Sequence, residues 1–253
     1  MKNMKRILSA AAVFVLAGSM LAGCGSSSSD ENTLVMATNA TFPPYEYVEG
    51  DEIVGIDPEI AAAIAEELGM ELQIEDVEFD SIVAGVASGK YDMGMAGMTV
   101  DPERLESVNF SDSYATGIQS IIVKEGSPIQ SVEDLSAETL IGVQQGTTGA
   151  MYAADDYGQD AVVNFNKGAD AVQALVTDKV DCVIIDNEPA KSFVEANPGL
   201  KILDTEYAVE DYAICVAKDN DELLDKINDA LAKLKEDGTL DEIINKYIPS
   251  DGE

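Results

Sequence analysis

Between residues 90 and 104 an apolar run gives way to a glycine, then a threonine, then an arginine. Tyr91, Met93, Met95 and Ala96 leave little room for charge, which predicts a strand over 91–96 buried on both faces of an α/β sheet. Gly97 ends it. A glycine there lets backbone N–H and C=O groups approach a ligand with no side chain in the way, and Thr99 adds a hydroxyl that both donates and accepts. Asp101 and Pro102 predict a helix start, with Asp101 as N-cap and Pro102 in the first helical position. Arg104 then sits in the first turn, near the strand end. A guanidinium in such a place suits bidentate binding of a small carboxylate. Taken alone, Arg104 is equally an ordinary solvated helix residue.

A second constellation changes that balance. Residues 140–144 predict a strand and Gln145, Gly146, Thr147, Thr148 and Gly149 a turn, with a helix starting over 150–156. Small and hydroxylic residues again reach a helix N-terminus, where free N–H groups and the helix dipole favour anions. Val172, Leu175, Lys179 and Asp181 stand at a constant offset of 89 from Val83, Val86, Lys90 and Asp92. The same offset sets Asp186 opposite Gly97. An acid at the equivalent strand end of a second α/β half would face the first half across a cleft.

The elements that must position these residues are legible in outline. Residues 34–38 predict a first strand, and the following loop, with Asn39, Phe42, Pro43 and Pro44, cannot be helical and carries an exposed aromatic. Asp57 as N-cap, Pro58, an Ile60, Ile64 and Leu68 face and a Gly69 stop predict a helix. A strand over 72–77 and a helix over 80–88, with Ile82, Val83 and Val86 inward, complete a doubly wound unit. Ligands of such units bind outside the carboxyl ends of the strands, where Asn39, Phe42, Gly97 and Thr99 fall. Strands over 118–123 and 212–217 are expected to pair as the crossings between lobes. Leu223, Ile227, Leu231 and Leu234 form the inward face of a helix stopped at Gly238, and Thr239 with Glu242 predicts a capping box opening a last helix to Ile248. The expected division is a lobe of 33–113 with 214–253 and a second lobe of 114–213 that includes the hinge strands.

Composition excludes several functions. The formal charge is −33, and nucleic acid, whose binding rests on cations meeting phosphates, is an unlikely match for it. With no histidine, His-based catalytic triads and the usual zinc sites are absent, so neither a metal nor a cofactor is expected. Cys182 and Cys215 lie in apolar runs and read as small buried hydrophobes in different lobes, unable to pair. Lys2, Lys5 and Arg6 precede an apolar run at 7–17 that is shorter than the roughly 20 residues a spanning helix needs. Leu21, Ala22, Gly23 and Cys24 come next, and this tetrapeptide resembles the lipobox of bacterial lipoproteins. That resemblance implies a signal peptide over 1–23, acyl chains such as palmitate on Cys24, a flexible tether over 24–32, and anchorage outside the cytoplasmic membrane. Losing the three signal cations takes the charge from −33 to −36.

Beyond the lipobox, the chain resembles the polar amino-acid binding proteins of bacterial ABC importers, the group of the glutamine, histidine and lysine-arginine-ornithine binders. The similarity rests on Thr38, Asn39, Ala40, Thr41 and Phe42 near the start, on Gly55, Ile56 and Asp57, and on Ala96, Gly97, Met98 and Thr99 with Arg104. Phe110, Ser111 and Asp112, then Gln145 to Thr148, Asp186, and Asp237 to Thr239 continue it, so nearly all of 32–249 is covered. The fold implied is the type II periplasmic-binding-protein arrangement: two doubly wound α/β lobes joined by two strands, with the ligand between them. The resemblance implies that Arg104 clamps a ligand α-carboxylate, helped by the N–H groups of Thr99 and Thr148. Asp186, the Gly97 carbonyl and the Thr99 hydroxyl would hold the α-ammonium, and Phe42 and Phe79 would sandwich the side chain. Asn39, Met98 and Gln144 complete the implied contacts. The implied partners are a free polar L-amino acid and an ABC permease with its ATPase, and the protein would act as a monomer. A cationic tip is best met by a carboxylate, so the amides of Asn39, Gln144 and Gln145 favour a neutral ligand over arginine or lysine. Two other readings of the same fold are a dehydratase-like enzyme, which would have to use carboxylates such as Glu46 or Asp186, and an amino-acid-sensing module attached to a receptor.

Overall fold

The computed structural model describes residues 32–204 and 206–249. Two mixed sheets, each covered by helices, carry the chain. In the first, Thr33–Thr38 lies between Glu71–Asp76 and Met93–Gly94, parallel to both. Cys215–Ala217 and Val108–Phe110 extend that sheet in antiparallel register. In the second, Ile141–Gln144 runs parallel to Val162–Phe165 and Cys182–Asp186, and the ten-residue strand Ala115–Lys124 lies antiparallel to Cys182–Asp186. Leu200–Ile202 and Ala208–Tyr212 succeed one another along its other edge. A small meander of Thr41–Phe42, Glu46–Glu49 and Glu52–Val54 stands apart from both.

The offset of 89 is a structural repeat. It maps the helix Phe79–Ala87 onto the helix Gly168–Val176 residue for residue. The acids beyond these helices do the same job twice: Asp92 Oδ2 accepts from Val35 N–H at 2.7 Å and Asp181 Oδ2 from Leu140 N–H at 2.8 Å. Each returns its own N–H to the same residue's carbonyl. Gly89 and Asp178, at φ 71° and 57°, make the same left-handed turn before them. Such a pin at the head of the second strand fixes where that strand ends, and therefore where Gly97 and Asp186 emerge.

Several local expectations are replaced. The helix Ile56–Leu68 begins at Gly55 rather than at Asp57, because the Asp57 carboxylate turns into the core, where its Oδ2 accepts from Gly97 N–H at 2.8 Å and Tyr114 Oη–H at 3.0 Å. Gly55 is required there. At φ 132° a Cβ would lie 2.3 Å from the Tyr45 carbonyl. Asp101 does cap, accepting from the N–H groups of Glu103 and Arg104, but the segment it caps is a single 3-10 turn, Arg104–Glu106, since Val108–Phe110 must re-enter the sheet. The capping box at Thr239 does not form: Gly238 at φ 88° starts that helix and Asp237 Oδ1 accepts from Thr239 N–H instead. Phe42 is buried rather than exposed.

The crossings also differ from expectation. Residues 118–123 are interior to the second sheet, and 212–217 divides, Tyr212 closing a strand of the second sheet and Cys215–Ala217 entering the first. The chain passes between sheets through backbone bonds of Tyr114 N–H to Tyr212 O and Ser111 N–H to Ile214 O. Met98 to Val100 joins them through Ala213 N–H to Met98 O and Val100 N–H to Asp211 O. Cys182 and Cys215, fully buried in different sheets, are free, and burial pushes both thiols up to about 12.

Candidate functional site

A small cavity of about 20 Å³ lies between the two lobes. Of the residues expected to touch a ligand, Asn39, Phe42, Phe79, Gly97, Thr99, Arg104, Gln144, Thr148 and Asp186 line it. Met98 does not: its side chain is fully buried beside Phe79, Ile82 and Val108 in the first lobe, as the alternation of a strand-like segment requires when Gly97 and Thr99 face the cleft. A larger depression on the second lobe, bordered by Lys124, Asp178 and Asp181, is open to solvent and holds none of these residues.

Arg104 lines the cavity. Its Nη1 donates to Thr99 O at 2.7 Å and its Nη2 to Gly146 O at 3.0 Å, so the guanidinium spans both lobes with two of its five N–H donors. It lies 5.4 Å over the Phe79 ring. Burial lowers its pKa from the ordinary value, against which the nearby Asp101 and Glu210 act. Both neighbours in direct contact are main-chain carbonyls, so its positive charge faces no carboxylate in a salt bridge among the described residues. Thr148 opens the helix Thr148–Tyr157, and its hydroxyl stands 3.5 Å from that of Thr99 across the cleft.

Asp186 also lines the cavity. Burial pushes its carboxyl up to about 7, while hydrogen bonds from Tyr212 Oη–H and from Gln119 Nε2–H at 2.8 Å favour its charge. Gln119 also donates to Glu210 Oε2 at 3.0 Å, tying the acid to the strand beside the hinge. Glu46 reaches the same cavity and is 1% exposed. Its Oε2 and the Asp57 Oδ1 are both buried without a hydrogen-bond partner, and the neighbouring Asp57 adds to the burial that disfavours charge on Glu46. Burial raises Glu46 well above the usual carboxylate range and Asp57 to about 6. Glu46 is the neutral member of the two, because the donors of Gly97 and Tyr114 favour the charged form of Asp57.

Amides form a further part of the wall. Asn39 Oδ1 accepts from Gln144 Nε2–H at 2.9 Å across the cleft, and Gln145 Nε2–H donates to Asp80 Oδ2 at 2.7 Å nearer the mouth. With the Arg104 to Gly146 bond, these hold the lobes closed on each other.

Ala96 and Thr147 line the cavity without having been expected there, Glu46 lines it though named above only for the enzyme reading and not as a ligand contact, and Gln119, Glu210 and Tyr212 support it from behind. Gln119 left a signal, a polar side chain inside the apolar run 118–123. Glu46 left none that separates it from the exposed acids of the same hairpin.

Residues 34–250 match the bacterial extracellular solute-binding proteins, family 3. The chain belongs to that family. Among its relatives, the arginine-binding extracellular protein ArtP of Bacillus subtilis is 35% identical over 242 residues, covering 90% of this chain and 92% of ArtP. The ABC transporter glutamine-binding protein GlnH of the same organism is 30% identical over 270 residues, covering 98% and 99%. In structure, an ancestral arginine-binding protein bound to glutamine superposes with a TM-score of 0.82 at 39% identity, over 87% of this chain and 99% of that one. The two-lobed mixed α/β architecture of this family 3 protein is thus the type II periplasmic-binding-protein fold, and its family and relatives are binding proteins.

Proposed function

We propose that this protein captures a free L-amino acid with a polar side chain in the interlobe cavity and delivers it to an ABC permease and its ATPase. The observation that carries the proposal is the presence of two opposite charges, Arg104 and Asp186, 6% and 7% exposed and both lining one small cavity. A zwitterion entering such a site loses its water and must meet one charge of each sign. Arg104 with the N–H groups of Thr99 and Thr148 receives the α-carboxylate. Asp186, the Gly97 carbonyl and the Thr99 hydroxyl receive the α-ammonium, and Phe42 and Phe79 flank the side chain. ArtP and GlnH, named for arginine and glutamine binding, support the ligand class. The lobes would be 33–113 with 214–253, and 114–213, moving about the backbone pairs near Tyr114 and Tyr212.

The protein acts by binding, not turnover. Its family and relatives are binding proteins, which supports this reading. No described helix is long and apolar enough to cross a membrane. Residues 1–23 and Cys24 lie outside the described residues. The lipobox resemblance supports a cleaved signal, lipid on Cys24 and a monomer held at the outer face of the cell membrane.

Calorimetry against the twenty amino acids tests the core of this reading. At least one should bind with micromolar or tighter affinity, about 8 kcal/mol, and Arg104→Ala should remove about 2–5 kcal/mol of it. A chain that binds none of them, or an Arg104→Ala variant within twofold of the parent, refutes it.

A further inference from the structure

We propose that the side-chain end of the cavity selects an uncharged tip carrying both a donor and an acceptor, a carboxamide foremost, over a guanidinium or ammonium. This deepens the amino-acid reading above and rests on it. The inference comes from a hydrogen-bond account of two amides whose orientations are not free. Asn39 Nδ2–H donates to the Val77 carbonyl at 2.7 Å, and a carbonyl accepts only, so the Asn39 nitrogen must lie on that side. Its Oδ1 then faces the other way, where it accepts from Thr41 Oγ1–H at 2.8 Å and Gln144 Nε2–H at 2.9 Å. Gln144 is locked by the same logic, since its Nε2 also donates to the Asn166 carbonyl at 3.1 Å. Val77 O and Asn166 O, neither of which lines the cavity, thereby act as positioning groups for both amides.

The remaining capacity defines the ligand. Gln144 has spent both N–H donors and keeps its Oε1 as an acceptor, whereas Asn39 has filled its Oδ1 and keeps one Nδ2–H as a donor. Both residues are buried and line the cavity, so each unspent group needs a partner once water is expelled. A carboxamide tip answers both, giving N–H to Gln144 and taking N–H from Asn39. A guanidinium or ammonium has only donors, so it leaves the Asn39 N–H unmet. It would also find no spare carboxylate: of the acids lining the cavity, Asp186 is taken by the α-ammonium, and burial raises Glu46 well above the usual carboxylate range.

Competition calorimetry with L-glutamine, L-arginine and L-lysine, on the parent and on Gln144→Glu and Asn39→Asp, tests this. In the parent, glutamine should bind at least tenfold tighter than arginine or lysine. Each variant places an oxygen against a carbonyl that needs a donor, so a ligand bringing extra N–H groups gains, and the arginine-to-glutamine affinity ratio should rise at least tenfold. Two variants guard against one failing to fold, which a thermal melt reports. Arginine or lysine binding tenfold tighter than glutamine in the parent, with binding abolished by Arg104→Ala, overturns the selectivity while leaving amino-acid capture standing. A ratio unmoved in both folded variants also overturns it. If no amino acid binds at all, the capture reading falls and this one with it.

Discussion

Asp186 illustrates how a residue's chemistry here depends on what surrounds it. An exposed aspartate is ionised at every physiological pH, but burial pushes this one up to about 7 from an ordinary value of 3.8. Between those values the folded protein holds more protons than the unfolded chain, so this group makes stability fall as pH rises through the window. The sign for ligand binding is opposite. An α-ammonium pairs with the ionised form, so affinity should improve as pH rises toward about 7 and weaken by up to tenfold per unit below it. Calorimetry from about pH 5.5 to 8 should show this slope in the parent and a weak, flat profile in Asp186→Asn; a flat parent profile contradicts it. Glu46 and Asp57 offer a second contrast. Glu46→Gln keeps a neutral donor toward Asp57 and should cost under about 1 kcal/mol. Asp57→Asn keeps an oxygen for the donors of Gly97 and Tyr114 but removes the charge they stabilise and buries an NH2 group where Oδ1 has no partner, and should cost about 2–4 kcal/mol in denaturant unfolding. Equal costs would show that Glu46 is not the neutral member of the two.

At the level of strands and turns, the site is made where strands stop. The paired pins of Asp92 and Asp181 set the strand heads, and the glycine turn after Met93–Gly94 presents backbone where a side chain would intrude. Gly97 has φ 52°, and a Cβ there would stand 2.9 Å from the Phe42 ring. Gly97→Ala should therefore displace the ring and strain the turn, at about 1–3 kcal/mol of stability and at least tenfold in affinity. An alanine variant that binds as the parent does would mean that Phe42 and the Gly97 carbonyl are not ligand contacts.

Across the molecule, closure is held by few contacts. Apart from the hinge, the cleft is bridged by Gln144 to Asn39, Gln145 to Asp80, Arg104 to Gly146 and the longer Thr99 to Thr148 hydroxyl pair. Gly146 is the tightest point, with φ 79° and a potential Cβ 2.8 Å from that of Asp80 on the opposite lobe. Gly146→Ala should hinder closure while sparing both hydrophobic cores. Small-angle scattering should show the parent compacting on saturation with its ligand and the variant compacting less, with affinity reduced at least tenfold. A parent that does not compact removes the case for lobe motion. The charge of −33 should speed encounter with cationic solutes at low salt, yet screening over about 8–10 Å keeps it from deciding selection inside the cavity.

Most of the lobe plan and most of the cavity wall are written in the chain's local order. Strand and helix periods are local, the offset of 89 repeats a whole strand-turn unit, and glycine, threonine and arginine mark strand ends by residue type alone. Side-chain direction is not local. Met98 lies between two cavity residues yet faces the core, and Asp57 reads as a helix cap until Gly97 and Tyr114 supply better donors from 40 and 57 residues away. The amide orientations that define the ligand's tip belong wholly to the tertiary structure. They are set by Val77 O and Asn166 O, 38 and 22 residues from the side chains they lock. A carbonyl carries no mark in the sequence of which distant donor it will require, because that is decided only when the lobes fold and meet.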